Sequence, residues 1–267
     1  MQSSNPAFRR AAGFNGRQAA DIAAPSAEEL QDMYAAPSAT ATQTGRMTYD
    51  DVVVKTGITL GVLLAGAVVG WLNPQLALVG LVVGLVLGLV NAFKRNPSPA
   101  LILAYAAFEG LFVGGISWMF ENMQIGGSSL NGIVAQAILG TLGVFAVALF
   151  AYRSGKVRVT PKFRRGALIA LGGYAVFCLV NLLAQVFGWT DSPFGFRGDG
   201  WLGIAIGLFA IGLAAVMLIL DFDFIEQGVR AGLPAKFAWT AAFGLTVTLV
   251  WLYIEMLRLL AILQSGD

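Results

Sequence analysis

Long apolar segments separated by short polar connections dominate the chain from about residue 50 onward. A helix needs about 20 apolar residues to cross the hydrocarbon core of a bilayer, and runs of about 18 or more with few charges are typical of membrane spans. The pattern predicts seven such helices, over 52–71, 76–93, 99–120, 129–152, 166–188, 201–223 and 236–263. The predicted fold class is therefore an all-α membrane protein, a seven-transmembrane helix bundle.

The N-terminal segment has a different composition from the rest. Residues 1–47 are rich in Ala, Ser, Gln, Thr, Gly and Pro and lack an apolar block. Such a segment buries too little apolar surface to fold alone. We predict a disordered tail over 1–47 and a membrane domain over 48–267. The overall composition, 57% hydrophobic and only 12% charged, agrees with a chain that lies mostly in lipid.

Basic residues are distributed unevenly among the predicted connections. Cytoplasmic loops of membrane proteins carry an excess of Lys and Arg. If the N-terminus is placed inside, only Arg197 and Arg258 of the 17 Lys and Arg residues fall toward the outside. The sequence thus predicts an N-in, C-out topology in the cell membrane (the inner or plasma membrane). The lipid bilayer is the partner that this prediction implies.

The residue types that are missing restrict the possible chemistry. The chain has no histidine and one cysteine, Cys178. Catalysis by Ser-His or Cys-His pairs, histidine-ligated metals and an internal disulfide are thereby excluded. We expect neither an enzyme nor a cofactor, and no nucleic-acid partner. The oligomeric state is left open.

Glycines recur at a spacing of four within three predicted helices. Small residues four apart allow helix backbones to approach closely in lipid. Internal helix packing is the favoured interpretation, and a homodimer contact is the alternative. The stripes are Gly80, Gly84 and Gly88; Gly110 and Gly114; and Gly203 and Gly207.

Ionisable side chains inside predicted spans are few, and such residues usually face the bundle interior and mark function. Glu109 lies ten residues after Pro99, about 15 Å along the third helix and so near mid-bilayer. A carboxyl group at that depth is expected to be neutral unless it is paired. It is either a packing residue or part of an ion path.

Three acids lie together at the end of the sixth predicted helix, in LDFDFIEQG. At 100° per residue, Asp223 and Glu226 share a helix face, whereas Asp221 points almost oppositely. The three therefore do not all line one cavity. We expect Asp223 and Glu226 at the membrane interface and Asp221 in the interior.

The last predicted helix carries Glu255 and Arg258 in WLYIEMLRLLAIL. Their spacing allows an intrahelical ion pair. Alternatively, Glu255 faces an acid on another helix, and two close carboxylates would share a proton. Because hard cations prefer oxygen ligands, such a pair would bind a divalent cation when deprotonated. A calcium site at Asp221 and Glu255 is the corresponding hypothesis.

Several segments resemble the Bax inhibitor-1/YccA family of multi-pass membrane proteins, and in particular its longer bacterial branch. They are SSNPAFRR in the tail, KRNPSPALILAYAAFEGLFVG, YRSGKVRVTPKFRR, and LDFDFIEQGVRAG through TLVWLYIEMLRLLAIL. The resemblance covers roughly residues 45–264 and the short tail motif. It implies a bundle whose last helix is surrounded by the other six.

For some family members the resemblance implies a pH-sensitive calcium leak governed by an acidic pair on the last two spans. Carried over by position, Asp221 matches the acid in the family's Phe-Asp-Thr-like stretch, and Glu255 matches the acid after its Leu-Tyr-like pair. This sequence departs from the pattern, because Asp223 competes with Asp221 for the match. Counted on straight helices, Asp221 and Glu255 also differ in depth by about 12–15 Å.

Two functions of different classes follow as hypotheses. The first is a pH-responsive cation leak, in which Asp221, Glu255, Glu109 and Asp223 form the ion path or sense pH, and Glu226 and Arg258 support them. The second is a regulatory or scaffold protein that acts on a membrane protease or another membrane partner, since other members of the family are linked to the control of quality-control proteases.

Overall fold

The computed structural model describes residues 26–28, 31, 44–125, 128–190, 192, 194–198 and 200–265. The tail predicted over 1–47 lies mostly outside these residues. The seven long helices are α1 (Tyr49–Leu72), α2 (Ala77–Phe93), α3 (Pro99–Glu121), α4 (Ile133–Arg153), α5 (Pro161–Val186), α6 (Gly200–Arg230) and α7 (Ala238–Ser265). Short 3-10 turns precede α2 (Pro74–Leu76), α6 (Gly195–Arg197) and α7 (Ala235–Phe237). A pair of two-residue strands, β1 (Gln124–Ile125) and β2 (Ser128–Ser129), joins α3 to α4.

The prediction of seven membrane-spanning helices is confirmed, since all seven are long and apolar enough to cross a bilayer. α1 begins at Tyr49 rather than 52, and two other helices extend further beyond their predicted ends. α5 begins at Pro161 rather than 166, because Thr160 caps it by accepting a hydrogen bond from the Phe163 N–H. α6 continues to Arg230 rather than ending at 223, without a break at Gly228. Both extensions are polar helical turns beyond the apolar pattern that defined the spans.

The start of α4 was predicted too early. Residues 129–132 belong to β2 and the turn after it, and the helix begins at Ile133. Gly132 has a φ of 81°, a left-handed conformation that ends the turn and that glycine adopts without steric cost. The Glu121 carboxylate accepts hydrogen bonds from the Gly132 and Val134 N–H groups, so the first turn of α4 is satisfied from the end of α3.

The last helix is the centre of the bundle, as predicted. In the span that contains α7, 67% of the residues in its 18-residue apolar stretch are buried. The corresponding share is 11–44% in the other six spans. α7 packs against α1, α3, α4 and α6, and it receives the Tyr174 side chain from α5. α2 packs chiefly on α3 and has the least buried span. The polar groups of α7 are therefore the most enclosed in the described part of the chain.

Close helix contacts depend on glycines that face neighbouring helices of the same chain. A Cβ on Gly114 would overlap the Ala67 carbonyl oxygen of α1, and a Cβ on Gly110 would overlap the Leu63 carbonyl oxygen. Gly80, Gly84 and Gly88 of α2 face α3. Gly207 of α6 faces Leu259 and Arg258 of α7, and Gly203 faces the connection before α6. All seven glycines of the predicted stripes thus lie at internal contacts.

The segment before α1 is attached to the turn between α6 and α7. The Met47 N–H donates to the Leu233 carbonyl over 2.7 Å, and the Ala235 N–H donates to the Gly45 carbonyl over 2.8 Å. The Met47 side chain is buried. The Lys55 ammonium donates to the Ala235 carbonyl over 2.6 Å. These bonds hold one end of the bundle together at the start of α1.

Candidate functional site

The most enclosed charged group in the described residues is the Glu255 carboxylate, which is 2% exposed and sits on the central helix. Arg258, one turn later, donates to Glu255 Oε2 through Nη2 at 2.7 Å and Nε at 3.0 Å. Arg197 Nη2 donates to Oε1 at 2.6 Å, and the Tyr174 hydroxyl donates to the same oxygen at 2.6 Å. Both carboxylate oxygens are therefore fully engaged. We call these four residues the Glu255 cluster.

The connection between α5 and α6 is shaped so that Arg197 reaches the central helix. The Asn181 side chain of α5 accepts from the Phe196 N–H at 2.7 Å and donates to the Phe194 carbonyl at 3.2 Å. Gly195 has a φ of 65° and lies so close to Asn181 that a Cβ there would clash with its Oδ1 atom. Arg258 donates to the Arg197 carbonyl at 3.0 Å, so the connection is fixed through its backbone as well as its side chain.

Arg197 stays charged in this partly buried position. Burial opposes the charged guanidinium, but the neighbouring Glu255 carboxylate outweighs this effect and raises the pKa of Arg197 above its ordinary value. Its guanidinium also lies 5.5 Å from the centre of the Tyr174 ring, within the range of a cation–π contact. One arginine from a connection and one from α7 thus share a single buried carboxylate.

Asp221 lies in a separate place, at the contact between α6 and α7. The Thr248 hydroxyl donates to Asp221 Oδ2 at 2.7 Å, and Gly244 of α7 lies beside Oδ1. Within the described residues, Asp221 has no ion pair with a Lys or Arg. It is thus a half-buried acid between two helices that is held by a hydroxyl group.

Asp223 and Glu226 face away from this contact and meet polar groups at the end of the bundle. Asp223 pairs with Arg164 of α5 at 2.7 Å and accepts from Gln227 at 2.6 Å. Glu226 accepts a hydrogen bond from Tyr152 and pairs with Arg230. Asp223 and Glu226 therefore lie on a different face of α6 from Asp221, as the angle of 100° per residue predicted.

Glu109 lies on α3 and faces α2. A Cβ on Gly84 would come within 2.8 Å of its Oε2 atom, so Gly84 leaves room for the carboxyl group. Among the described residues Glu109 forms no hydrogen bond or ion pair. Asp221 and Glu255 lie on contacts of α7, whereas Glu109 lies at the α2–α3 contact, so the three acids do not line one interior.

The two acids proposed as a calcium pair are at different levels of the bundle. Thr248, which contacts Asp221, precedes Glu255 by about 10 Å along α7 at 1.5 Å per residue. The residue count along straight helices predicted an offset in the same direction, with Glu255 further than Asp221 from the turn between α6 and α7. The donor set does not fit a shared calcium site, since arginine and tyrosine donors occupy both Glu255 oxygens. Within the described residues, no three acidic or cysteine side chains gather as a metal site.

Several residues of the site were not assigned a role from the sequence. Arg197 counted only as an exception to the charge asymmetry, although a lone cation in the connection between α5 and α6 was itself a signal. Tyr174 and Asn181 were given no role, because a tyrosine or an asparagine in an apolar helix carries no specific signal. Thr248 carried no signal, because threonines in apolar helices commonly bond their own backbone.

These observations define a polytopic helical membrane protein whose central last helix carries a buried carboxylate. Compared with protein families, the chain matches the family described as Bax inhibitor 1 like over residues 5–265. The protein belongs to that family and is a Bax inhibitor-1-like integral membrane protein. A comparison with curated proteins finds no match.

Proposed function

We propose that the protein is a pH-responsive cation leak of the cell membrane, with calcium as the cargo. Asp221 lies on the ion path, and the Glu255 cluster closes the path toward the outside. The observation that carries this proposal is the position of Glu255: one buried carboxylate on the central helix holds the connection between α5 and α6 through Arg197. A closure that depends on one carboxylate responds directly to protons.

The chemistry of the closure gives the sign of the pH response. Ionised Glu255 is the shared counter-ion of Arg197 and Arg258. Protonation removes that charge, leaves two guanidinium groups close together without a counter-ion, and favours release of Arg197 with its connection. Acid therefore opens the path, and neutral pH keeps it closed. In the closed state Glu255 is not a cation ligand, because both its oxygens accept from protein donors.

Asp221 supplies the other half of the proposal. It is an acid between two packed helices, it has a hydroxyl partner, and it lacks an arginine or lysine partner among the described residues. A carboxylate of this kind attracts a passing cation without trapping it, as conduction requires. Glu109 is not part of this path.

The orientation belongs to the same proposal. We propose that the N-terminus lies inside, so that Arg197 and Arg258 are near the outer surface and Asp221 is nearer the inner one. The concentration of basic residues in the connections at the opposite end supports this orientation.

Calcium flux into liposomes tests the role of Asp221. The parent protein, Asp221→Asn and the control Asp50→Asn, which removes an exposed acid from α1, are reconstituted at equal density. We expect Asp221→Asn to lower the calcium flux at least about fivefold, since it removes the carboxylate that the proposal places on the inner part of the path. Equal flux in all three proteins would contradict the proposal.

The second candidate function, regulation of a membrane protease or another membrane partner, is favoured by the attachment of Gly45–Met47 to the turn before α7. The residues at the start of the membrane domain are thereby fixed to the turn before α7. Deletion of residues 1–43 discriminates between the functions. A leak keeps its flux, whereas a regulator loses partners that are recovered by crosslinking in cells.

A further inference from the structure

A groove at the end of the bundle opposite the Glu255 cluster runs between the start of α5 and the end of α6. Its volume is about 580 Å³, within the range of small-molecule sites. α5 lines it with Pro161, Arg164, Arg165, Leu168 and Ile169, and α6 contributes Gln227. We call it the α5–α6 groove. It takes no part in the proposed ion path.

The lining residues form one stripe along α5. Their spacing repeats at three and four residues, which places them on a single helix face. The basic pair comes first, and Leu168 and Ile169 follow about 6 Å further along the helix toward the middle of the span. The two apolar side chains are 51% and 66% exposed. The groove is thus basic at the membrane interface and apolar where it enters the bilayer.

Within the described residues, one arginine of the groove has an acidic partner and the other has none. Arg164 is committed to Asp223, which also accepts from Gln227. Arg165 is exposed and forms no ion pair or hydrogen bond within the described residues. Asp223 cancels one positive charge, so the groove retains one free guanidinium near the positive end of the α5 dipole. Guanidinium groups bind phosphate oxygens in a bidentate manner.

We propose that the α5–α6 groove binds an anionic phospholipid, with the phosphate on Arg165 and an acyl chain along Leu168 and Ile169. A lipid is the ligand that carries a phosphate and a hydrocarbon chain in this order and at this spacing. A soluble phosphate compound would use the basic end alone. Since the groove opens on the surface of a membrane helix, a lipid reaches it from within the bilayer.

Native mass spectrometry of the full chain in detergent tests the site. The protein is titrated with phosphatidylglycerol and, separately, with phosphatidylcholine. We expect preferential binding of phosphatidylglycerol, and we expect Arg165→Gln to weaken it about fivefold, since one basic group near an anionic headgroup contributes about that factor. Arg165→Lys retains most of the binding. Arg153→Gln is the matched control, because it removes an exposed arginine at the end of α4 that does not line the groove.

Three results would overturn the proposal. Unchanged phosphatidylglycerol binding by Arg165→Gln excludes the site. Equal weakening by Arg165→Gln and Arg153→Gln shows attraction to the whole basic surface rather than to a groove. Displacement of the lipid by equimolar glycerol phosphate assigns the groove to soluble phosphates. A loss confined to Arg165→Gln, with no displacement by glycerol phosphate, supports the lipid site.

Discussion

Arg197 Nη2 lies 2.6 Å from Glu255 Oε1, so a residue of the α5–α6 connection forms an ion pair with the most buried carboxylate of the central helix. The Glu255 side chain is 3% exposed and that of Arg197 is 14% exposed. Arg258 holds the second carboxylate oxygen. The connection is therefore attached to α7 by charge, in a place where few other side chains of the bundle are charged.

Replacement of Glu255 by Gln is expected to destabilise the folded protein strongly. The change leaves two buried guanidinium groups without a negative partner, and breaking a buried ion pair from one side costs about 3 kcal/mol or more. The measurement is the thermal unfolding midpoint of the purified protein in detergent. Asp50→Asn, at an exposed position, is the control and should melt with the parent. A Glu255→Gln protein as stable as the parent would show that the ion pairs contribute little.

The contact between α1 and α3 should be sensitive to a single added carbon. Gly114→Ala introduces a Cβ that overlaps the Ala67 carbonyl oxygen, and overpacking of this kind costs about 1–3 kcal/mol. Gly61→Ala is the matched control, because a Cβ there meets nothing within 4 Å. Thermal unfolding in detergent should separate the two variants. If both melt together, the backbones of α1 and α3 can move apart without loss of stability.

The proposed topology predicts opposite labelling of two connections. In a Cys178→Ala background, a cysteine at Ser154, between α4 and α5, should react with a membrane-impermeant thiol reagent only after the cells are opened. A cysteine at Gln124, between α3 and α4, should react in intact cells. Both positions are exposed in the structure. The reverse pattern would invert the orientation and place the Glu255 cluster near the inside.

The number and the order of the membrane helices could be predicted from the sequence because each apolar segment forms its helix without help from the rest of the chain. A helix satisfies its own backbone hydrogen bonds, and lipid requires this of every span. The start of α5 and the end of α6 were missed for the same reason. Both terminal turns are polar, and contacts between them, such as Arg164 with Asp223, support them instead of lipid.

The Glu255 cluster could be predicted only in part. The spacing of Glu255 and Arg258 allowed an intrahelical pair, and the structure contains it. The pairing with Arg197 spans 58 residues. It depends on how Asn181 and Gly195 fold the intervening connection, which no local pattern reveals. Glu109 shows the same limit. Its depth along α3 follows from the sequence, but the identity of the helix that it faces, α2, does not.

Calcium flux as a function of pH tests the closure most directly. Liposomes containing the parent protein, Glu255→Gln or Asp50→Asn are compared between neutral and acid pH, and a large trapped dye reports non-specific leakage. The account predicts that Glu255→Gln, which imitates the protonated carboxyl group, leaks calcium at neutral pH at the rate that the parent reaches only in acid, with the dye retained. Glu255→Gln liposomes that follow the parent at every pH would contradict it.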